Sequence, residues 1–142
     1  MQQSVRRTPS LYGMPQLPGD KSISHRAVIL NAIAHGDAEL ENIQYGADVS
    51  ATLECLVKLG IDYEWTEKET IRISGKGRLG LQKPKSILDA RNSGTTIRLL
   101  TGLLAPQDFP SEITGDASLQ KRPMDRIIEP LTMMGADIKT MG

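Results

Sequence analysis

Cysteine and aromatic side chains are scarce in this sequence. The chain of 142 residues has one cysteine, Cys55, and aromatic residues make up 4% of it. A lone cysteine excludes an intramolecular disulfide and a cysteine-rich metal site, and it is compatible with a reducing cytoplasm. We interpret Cys55 as a small hydrophobic residue rather than a nucleophile. With so few aromatic rings, the core has to be built from aliphatic side chains.

The sequence also lacks net charge and long apolar runs. Its 17 basic and 17 acidic residues cancel, so the broad basic field of a nucleic-acid or membrane-surface binder is missing. No apolar run approaches the roughly 20 residues of a membrane-spanning helix. No apolar signal segment follows Arg6 and Arg7. We therefore expect no nucleic-acid partner, no membrane partner and no secretion signal.

The apolar residues that are present alternate between helical and strand periodicity, which predicts one domain of the mixed α/β, or α+β, class. Helices are predicted over 22–35, 49–59 and 95–104 and from Pro123 to 134. Strands are predicted over 37–43, 61–65, 70–73, 86–90, 108–114 and 136–140. Residues 11–17 form at best a short edge strand. Asp48 is predicted to cap the second helix. Residues 67–69 are predicted to form the turn of a hairpin.

The order of these elements recurs along the chain. Leu59-Gly60-Ile61-Asp62 matches Met134-Gly135-Ala136-Asp137 at an offset of 75 residues, and Arg26 matches Arg98 at an offset of 72. Self-similarity at a fixed period indicates a repeated supersecondary unit. Each unit has the order strand, helix, strand, helix, strand, strand. The second copy lacks its last strand, so we expect a truncated chain or missing parts supplied from elsewhere.

The stretch Gly19-Asp20-Lys21-Ser22-Ile23-Ser24-His25-Arg26 brings several anion-binding features to the start of one helix. Asp20 or Ser22 can cap the helix, whose free amides and positive dipole end attract anions. Lys21 adds a positive charge, and Arg26 lies one turn after Ser22 on the same face. The pattern suits a phosphate or a carboxylate. An ordinary capped helix with solvated charges remains the alternative.

A second stretch repeats this combination. Asn92-Ser93-Gly94-Thr95-Thr96 supplies amides and hydroxyls at a helix start. Gly94 allows a ligand to approach the backbone closely, and Arg98 follows it by four residues. A third basic cluster comprises Lys121-Arg122 and, one turn later, Arg126. Arginine suits bidentate contacts with phosphate or carboxylate. Taken alone, these stretches are equally compatible with a turn and with surface charge.

Other candidates carry less weight. Neither histidine has companions at metal-ligand spacing, so we expect no metal site. His25 could tune the Lys21 site, but a supporting or solvent-exposed role is the preferred interpretation. Asp48 and Asp116 could be catalytic carboxylates, but we favour a helix cap for Asp48 and a turn for Asp116.

Three longer motifs carry a resemblance to a known family. Leu-Pro-Gly-Asp-Lys-Ser-Ile-Ser-His-Arg (17–26), Arg-Asn-Ser-Gly-Thr-Thr-Ile-Arg-Leu-Leu (91–100) and Gly-Asp-Ala-Ser-Leu-Gln-Lys-Arg-Pro-Met (115–124) closely resemble 5-enolpyruvylshikimate-3-phosphate synthases. The resemblance implies transfer of an enolpyruvyl group from phosphoenolpyruvate to the 5-hydroxyl of shikimate 3-phosphate, with release of phosphate. It also implies aromatic amino-acid synthesis in the cytoplasm, without a cofactor.

The resemblance also implies a domain organisation. Members of the family have two similar domains, each with three βαβαββ units, arranged as an inside-out barrel with the substrates between the domains. Residues 1–16 would cross to the second domain, and 17–142 would be part of the first. Within that part, units would span 17–80 and 86–142, the second one incomplete. The missing C-terminal part of the same enzyme is therefore an expected partner.

Site residues follow from the matched motifs. Lys21 would contact both substrates, Ser22 and Arg26 would hold shikimate 3-phosphate, Gly94 and Arg122 would bind phosphoenolpyruvate, and Asp48, Asn92, Thr95 and Arg98 would support the pocket. The family's acid and base carboxylates lie beyond Gly142, so the isolated chain is expected to be inactive. A non-catalytic anion-binding or interaction module is the alternative. A UDP-sugar enolpyruvyl transferase is a weaker one, because its opening motif differs from 17–26.

Overall fold

The structure, a computed structural model, describes residues 3–4 and 6–140. Its elements are α1 (Lys21–Ala32), β1 (His35–Leu40), α2 (Ala47–Lys58), β2 (Asp62–Glu67), β3 (Thr70–Lys76), β4 (Leu88–Asp89), α3 (Gly94–Leu104), β5 (Ile113–Thr114) and α4 (Asp125–Met133). The mixed α/β class predicted from the sequence is confirmed.

The first three strands form an antiparallel sheet of order β1-β3-β2. The predicted hairpin is confirmed, since β2 and β3 pair across the turn that follows Glu67. Ile71 and Ile73 of β3 are fully buried, and Tyr63 and Trp65 of β2 are half-buried beside them. The alternation of apolar and polar residues therefore places one face of the sheet against the helices.

The core is aliphatic, as the shortage of aromatic residues predicted. Buried side chains come from α1, α2, α3 and the sheet, and include Val28, Ile29, Val49, Leu53, Leu56, Ile71, Ile73, Leu88, Leu100 and Leu104. The one phenylalanine, Phe109, is only partly buried at its edge. Burial of such side chains is the main stabilising contribution to the fold.

A short parallel pair, β4 with β5, connects the second half of the chain to this core. Leu88 pairs with Ile113 and Asp89 with Thr114. Because the two strands run in the same direction, the segments that follow them leave from the same edge. These segments, 90–93 and 115–124, carry two of the sequence motifs, so the fold brings those motifs together.

The predicted end of α1 at His35 and the predicted capping of α2 by Asp48 are both wrong. Helix α1 ends at Ala32, and His35 opens β1, where pairing with Lys76 of β3 replaces helical bonding. Helix α2 begins at Ala47 with Gly46 at the N-cap position. Asp48 lies inside the first turn and does not cap α2, because its carboxylate binds Lys21 instead.

Two predicted strands and one helix start also differ from the structure. Residues 11–17 and 136–140 form no strand, because no strand in the described part of the chain pairs with them. Helix α4 begins at Asp125 with Met124 at its N-cap, so Pro123 precedes the helix rather than opening it. Pro130 lies inside α4, as expected.

The ends of α2 and α4 repeat one another bond for bond. Ile61 N donates to the Leu56 carbonyl at 3.0 Å, and Ala136 N donates to the Leu131 carbonyl at 3.0 Å. The two donors are 75 residues apart in the chain, and so are the two acceptors. The glycines between them have φ angles of +87° at Gly60 and +99° at Gly135. Both helices therefore end in the same left-handed glycine turn. The extent of the repeat units stays a prediction.

The starts of α1 and α3 correspond at an offset of 73, not 72. Asp20 accepts from Ile23 N, and Ser93 accepts from Thr96 N, as N-caps of the two helices. Arg26 thus follows its cap by six residues and Arg98 by five, a difference of about 100° around a helix. The buried positions of the two helices nonetheless recur at the predicted offset of 72, as Val28 with Leu100 and Ala32 with Leu104. The match of Arg26 with Arg98 therefore stays a prediction.

Candidate functional site

The starts of α1, α2 and α3 meet at one place. Lys21, the first residue of α1, donates from Nζ to Asp48 Oδ2 in the first turn of α2 at 2.8 Å. The carbonyl oxygen of Asp48 lies 3.2 Å from Thr96 Oγ1 in the first turn of α3. Each helix start carries unbonded amides and the positive end of a dipole. Three such ends side by side form a surface that attracts anions.

The segment before α1 is fixed by close backbone contact. A Cβ atom at Gly19 would collide with the carbonyl oxygen of Asn42, so only glycine fits there. Ser24 Oγ accepts from Gln44 N at 2.9 Å and donates to the Asp20 carbonyl at 2.7 Å. The start of α1 is therefore attached to the loop that precedes α2.

A buried row of polar side chains connects the three helices behind this surface. His25 Nδ1 lies 2.8 Å from Thr52 Oγ1, which lies 2.8 Å from Thr96 Oγ1. Thr96 Oγ1 in turn lies 2.8 Å from Ser93 Oγ. Each of the four side chains belongs to a residue at most 1% exposed. The row fixes the spacing of the helix starts, since a buried hydroxyl without a partner is costly.

Thr52 was not predicted from the sequence, Thr96 was predicted only as a hydroxyl at a helix start, and His25 was left with either a supporting or a solvent-exposed role. A threonine inside a helix gives no signal of its own, because only the packing of two helices shows that the hydroxyls face each other. His25 is fully buried rather than in contact with solvent. Its Nε2 has no hydrogen-bond partner among the residues that the structure describes. Burial lowers the pKa of His25, with smaller effects from Asp48, which raises it, and Lys21 and Arg26, which lower it.

The lowered pKa of His25 predicts a loss of stability in mild acid. Below about pH 6.5 the unfolded chain binds a proton that the folded chain resists, so the free energy of unfolding falls as the pH falls. The limit for one proton is about 1.4 kcal/mol per pH unit. Urea unfolding between pH 7.5 and 5 measures this slope.

The two histidines provide a matched comparison. His25→Gln should reduce the slope, whereas His35→Gln, at an exposed position of β1, should leave it as in the wild type. Equal slopes in all three proteins would contradict the burial of a neutral His25.

The second half of the site lies at the edge of the parallel pair. Arg122 Nη2 donates to Asn92 Oδ1 at 2.7 Å, and Asn92 Nδ2 donates to Asp116 Oδ2 at 2.6 Å. A Cβ atom at Gly94 would lie 3.1 Å from Arg122 Nη1. The Arg122 guanidinium thus lies over the first residue of α3, where glycine leaves it room.

The other residues predicted for the site belong to α1 and α3. Ser22 is exposed in the first turn of α1, and Thr95 is half-buried in that of α3. Arg26 Nη1 donates to the Ser22 carbonyl at 3.0 Å, so its guanidinium folds back towards the helix start. Arg98 Nη2 donates to the Pro123 carbonyl at 3.2 Å. Arg98 therefore supports the segment that carries Arg122 rather than reaching the start of α1.

Two clefts on the surface differ from this site. One cleft, of about 630 Å³, is lined by Glu39, Glu41, Asn42, Glu67, Lys68, Glu69 and Thr70. Because most of these residues are glutamates, the cleft suits no anion. The other, of about 410 Å³, is mostly apolar and runs between α1 and α3, with Arg26 and Arg78 among its lining residues. Lys21, Gly94 and Arg122 line neither cleft, so the candidate site is an open surface on this chain.

The structure also shows the surroundings of Asp116 and Cys55. Asp116 Oδ1 accepts from Ser118 N and Leu119 N, which confirms its predicted turn. Cys55 is 1% exposed, and burial raises the pKa of its thiol to about 11, which confirms that it is a hydrophobic residue rather than a nucleophile.

No helix in residues 3–4 and 6–140 is long and apolar enough to span a membrane. Across the same part of the chain, no group of three or more His, Cys, Asp or Glu side chains could hold a metal ion.

Comparisons with known proteins agree on one family. The family model "EPSP synthase (3-phosphoshikimate 1-carboxyvinyltransferase)" matches residues 5–142. The 3-phosphoshikimate 1-carboxyvinyltransferase of Herpetosiphon aurantiacus is 48% identical over 138 residues, which are 97% of this chain and 32% of that protein. The enzyme of that name from Acidithiobacillus ferrooxidans is 54% identical over 134 residues, or 94% of this chain and 31% of that protein.

The structural comparison gives the same result. The EPSP synthase of Acinetobacter baumannii superimposes with a TM-score of 0.87 at 46% identity, covering 92% of this chain and 30% of that one. The present chain thus spans about a third of the length of the relatives it matches. From the family match and from the likeness of sequence and fold, we conclude that the chain belongs to the EPSP synthase (3-phosphoshikimate 1-carboxyvinyltransferase) family.

Proposed function

We propose that this chain contributes to an enzyme that transfers the enolpyruvyl group of phosphoenolpyruvate to the 5-hydroxyl of shikimate 3-phosphate. The observation that carries the proposal is the junction of three helix starts with Lys21 and Arg122 beside them. Membership of the family supports it. The reaction would belong to aromatic amino-acid synthesis in the cytoplasm and would need no cofactor.

The start of α1 is proposed to bind shikimate 3-phosphate. The Lys21 side chain is 48% exposed although it pairs with Asp48, so its ammonium can contact a ligand. Ser22 adds a hydroxyl in the first turn, and Arg26 folds back towards that turn. A phosphate group here would meet backbone amides, a hydroxyl and two cations, which are the groups that phosphates prefer.

The start of α3 is proposed to bind phosphoenolpyruvate. Arg122 lies over Gly94, and its guanidinium is orientated by Asn92. An exposed guanidinium in fixed orientation suits bidentate contact with a carboxylate or phosphate. Lys21 would lie between the two ligands, because Asp48 and Thr96 connect the start of α1 to that of α3. Thr95 and Arg98 would support this half of the pocket.

The proposed reaction is an addition followed by an elimination. The 5-hydroxyl loses its proton as its oxygen forms a bond to C2 of phosphoenolpyruvate, and C3 gains a proton, so that the double bond becomes single and a tetrahedral intermediate forms. C3 then loses a proton, the double bond re-forms, and the C2–O bond to phosphate breaks. The residues of this chain would hold both anions in reacting geometry and stabilise the charge that moves to the leaving phosphate. We assign no general acid or general base to the residues of this chain.

The names and lengths of the relatives support a choice of the enolpyruvyl acceptor and of the remaining partner. Those compared above carry the name 3-phosphoshikimate 1-carboxyvinyltransferase, which favours shikimate 3-phosphate over a nucleotide sugar as the acceptor. They are about three times as long as this chain. We therefore propose that further chain completes the pocket, with residues 1–16 crossing to a second domain and with repeat units at 17–80 and 86–142.

Release of phosphate tests this function. The chain would be joined to the C-terminal two-thirds of the Acinetobacter baumannii EPSP synthase and supplied with both substrates. A folded chimera should release phosphate only when both are present, and its Lys21→Met variant should be strongly impaired. The isolated chain should bind without turnover. A folded chimera that releases no phosphate would contradict the proposed function.

Gly94→Ala should weaken phosphoenolpyruvate about tenfold without unfolding the chain. The new methyl group would lie 3.1 Å from Arg122 Nη1 and push the guanidinium away, and tenfold corresponds to about 1.4 kcal/mol. Gly94 has no positive φ, so alanine fits its backbone and should also raise stability by up to about 1 kcal/mol, because it restricts the unfolded chain. Calorimetric titration and urea unfolding measure the two effects.

The same helix offers a matched control for this substitution. A Cβ atom at Gly102 would have no atom of the described part of the chain within 4 Å. Gly102→Ala should therefore raise stability in the same way and leave the affinity for phosphoenolpyruvate unchanged. Equal affinities in the Gly94→Ala and Gly102→Ala variants would contradict the placing of Arg122 over Gly94.

A further inference from the structure

Three side chains beside the start of α3 form hydrogen bonds with a defined direction. Arg122 donates to Asn92, and Asn92 donates to Asp116, at 2.7 and 2.6 Å. A guanidinium can only donate, and an ionised carboxylate can only accept. The Asn92 amide therefore has one orientation, with its oxygen towards Arg122 and its nitrogen towards Asp116.

Asp116 is itself held by the loop that carries Arg122. Its Oδ1 accepts from Ser118 N at 3.0 Å and from Leu119 N at 2.8 Å. Its backbone N donates to the Arg91 carbonyl at 2.7 Å. One carboxylate oxygen thus forms the turn, and the other is left for Asn92. The hydrogen bond from Asn92 is the largest of the effects that hold the pKa of Asp116 below its ordinary value.

We propose that Asp116 is a positioning residue for the reaction, which orientates Arg122 through the amide of Asn92. The inference rests on the proposed function, in which Arg122 binds phosphoenolpyruvate. Arg122 is exposed, so without this relay its long side chain would sample many conformations. Ordering it on binding would then reduce affinity by about three- to tenfold.

Asp116→Asn tests the direction of the relay. The variant keeps an oxygen for the turn, but it places an NH₂ group against the NH₂ group of Asn92. Asn92 would rotate and present that group to Arg122, where two donors oppose each other. NMR signals of the Arg122 guanidinium in the 142-residue chain should change from ordered to averaged. The amide signals of Ser118 and Leu119 should remain.

The double variant Asn92→Asp with Asp116→Asn serves as the rescue. The new amide at position 116 would donate to the new carboxylate at position 92, which would accept from Arg122, so the direction of the relay is restored with the same net charge. The Arg122 signals should become ordered again. Unchanged signals in Asp116→Asn, or no rescue in the double variant, would overturn the proposal.

Binding separates this inference from the function on which it rests. With shikimate 3-phosphate present, Asp116→Asn should weaken phosphoenolpyruvate by about three- to tenfold and leave the affinity for shikimate 3-phosphate within about twofold. Equal affinities despite a disordered Arg122 would overturn the role of Asp116 in binding. A wild-type chain with an ordered Arg122 that binds no phosphoenolpyruvate would instead overturn the proposed function and leave the relay as a structural feature.

Discussion

Lys21→Met is expected to weaken the binding of shikimate 3-phosphate and of phosphoenolpyruvate by about 30- to 150-fold each. Charge-assisted hydrogen bonds contribute about 2–3 kcal/mol, and Lys21 would make one to each ligand. The methionine keeps the length and apolar character of the side chain, so packing changes little. Calorimetric titration of the chain with each ligand measures the effect.

Part of that loss should come from the partner of Lys21. Without the ammonium, the Asp48 carboxylate is left facing two anionic ligands, and like charges at close range repel. The double variant Lys21→Met with Asp48→Asn removes that carboxylate and should recover part of the affinity. No recovery would show that the ion pair, at 2.8 Å, has no influence on the ligands.

Lys83→Met is the matched control. Lys83 is exposed beside Gln82, whose backbone N bonds to Leu59 at the far end of α2. A helix of 12 residues is about 18 Å long, so Lys83 lies well away from the helix starts. Its loss should change both affinities by less than about twofold. A similar loss in the Lys83 and Lys21 variants would indicate a general effect of net charge instead of a site.

Arg122→Ala is expected to weaken phosphoenolpyruvate by about 30- to 100-fold and shikimate 3-phosphate by less than about threefold. The guanidinium lies over the start of α3, whereas Ser22 and Arg26 belong to α1, and a lost bidentate contact to an anion costs about 2–3 kcal/mol. Arg122→Lys should be intermediate, because an ammonium keeps the charge but not the planar fork.

Arg126→Ala controls for the loss of charge in this region. Arg126 is exposed in α4, four residues after Arg122, which lies outside the helix, so its removal should leave the affinity for phosphoenolpyruvate within about twofold. Equal losses of both ligands in Arg122→Ala would contradict the division of the site between α1 and α3.

Local signals predicted much of this architecture correctly. The hairpin after Glu67 is encoded by alternating residues around a polar turn, and α3 by a helical apolar period. The core composition followed from the shortage of aromatic residues. The convergence of the motifs also followed in part, because Lys21 and Gly94 each open a helix.

The errors occurred where tertiary contacts override local preference. His35 suits a helix end, but pairing with β3 makes it the first residue of β1. Asp48 suits a cap, but Lys21 offers its carboxylate a stronger partner. The buried contact of Thr52 with Thr96 depends on how two helices pack. Such pairings join residues far apart in the chain, and no local pattern contains them.

The most direct measurement is a titration of the ¹⁵N-labelled chain with each ligand, followed by the amide shifts of its backbone. Shikimate 3-phosphate should move the amides of residues 21–26, and phosphoenolpyruvate those of 93–96 together with the Arg122 side chain, while the acidic cleft around Glu39 and Glu69 stays unchanged. Shifts that avoid the starts of α1 and α3, or that are equally large around Glu39, would contradict an anion site built from the meeting of these helix starts.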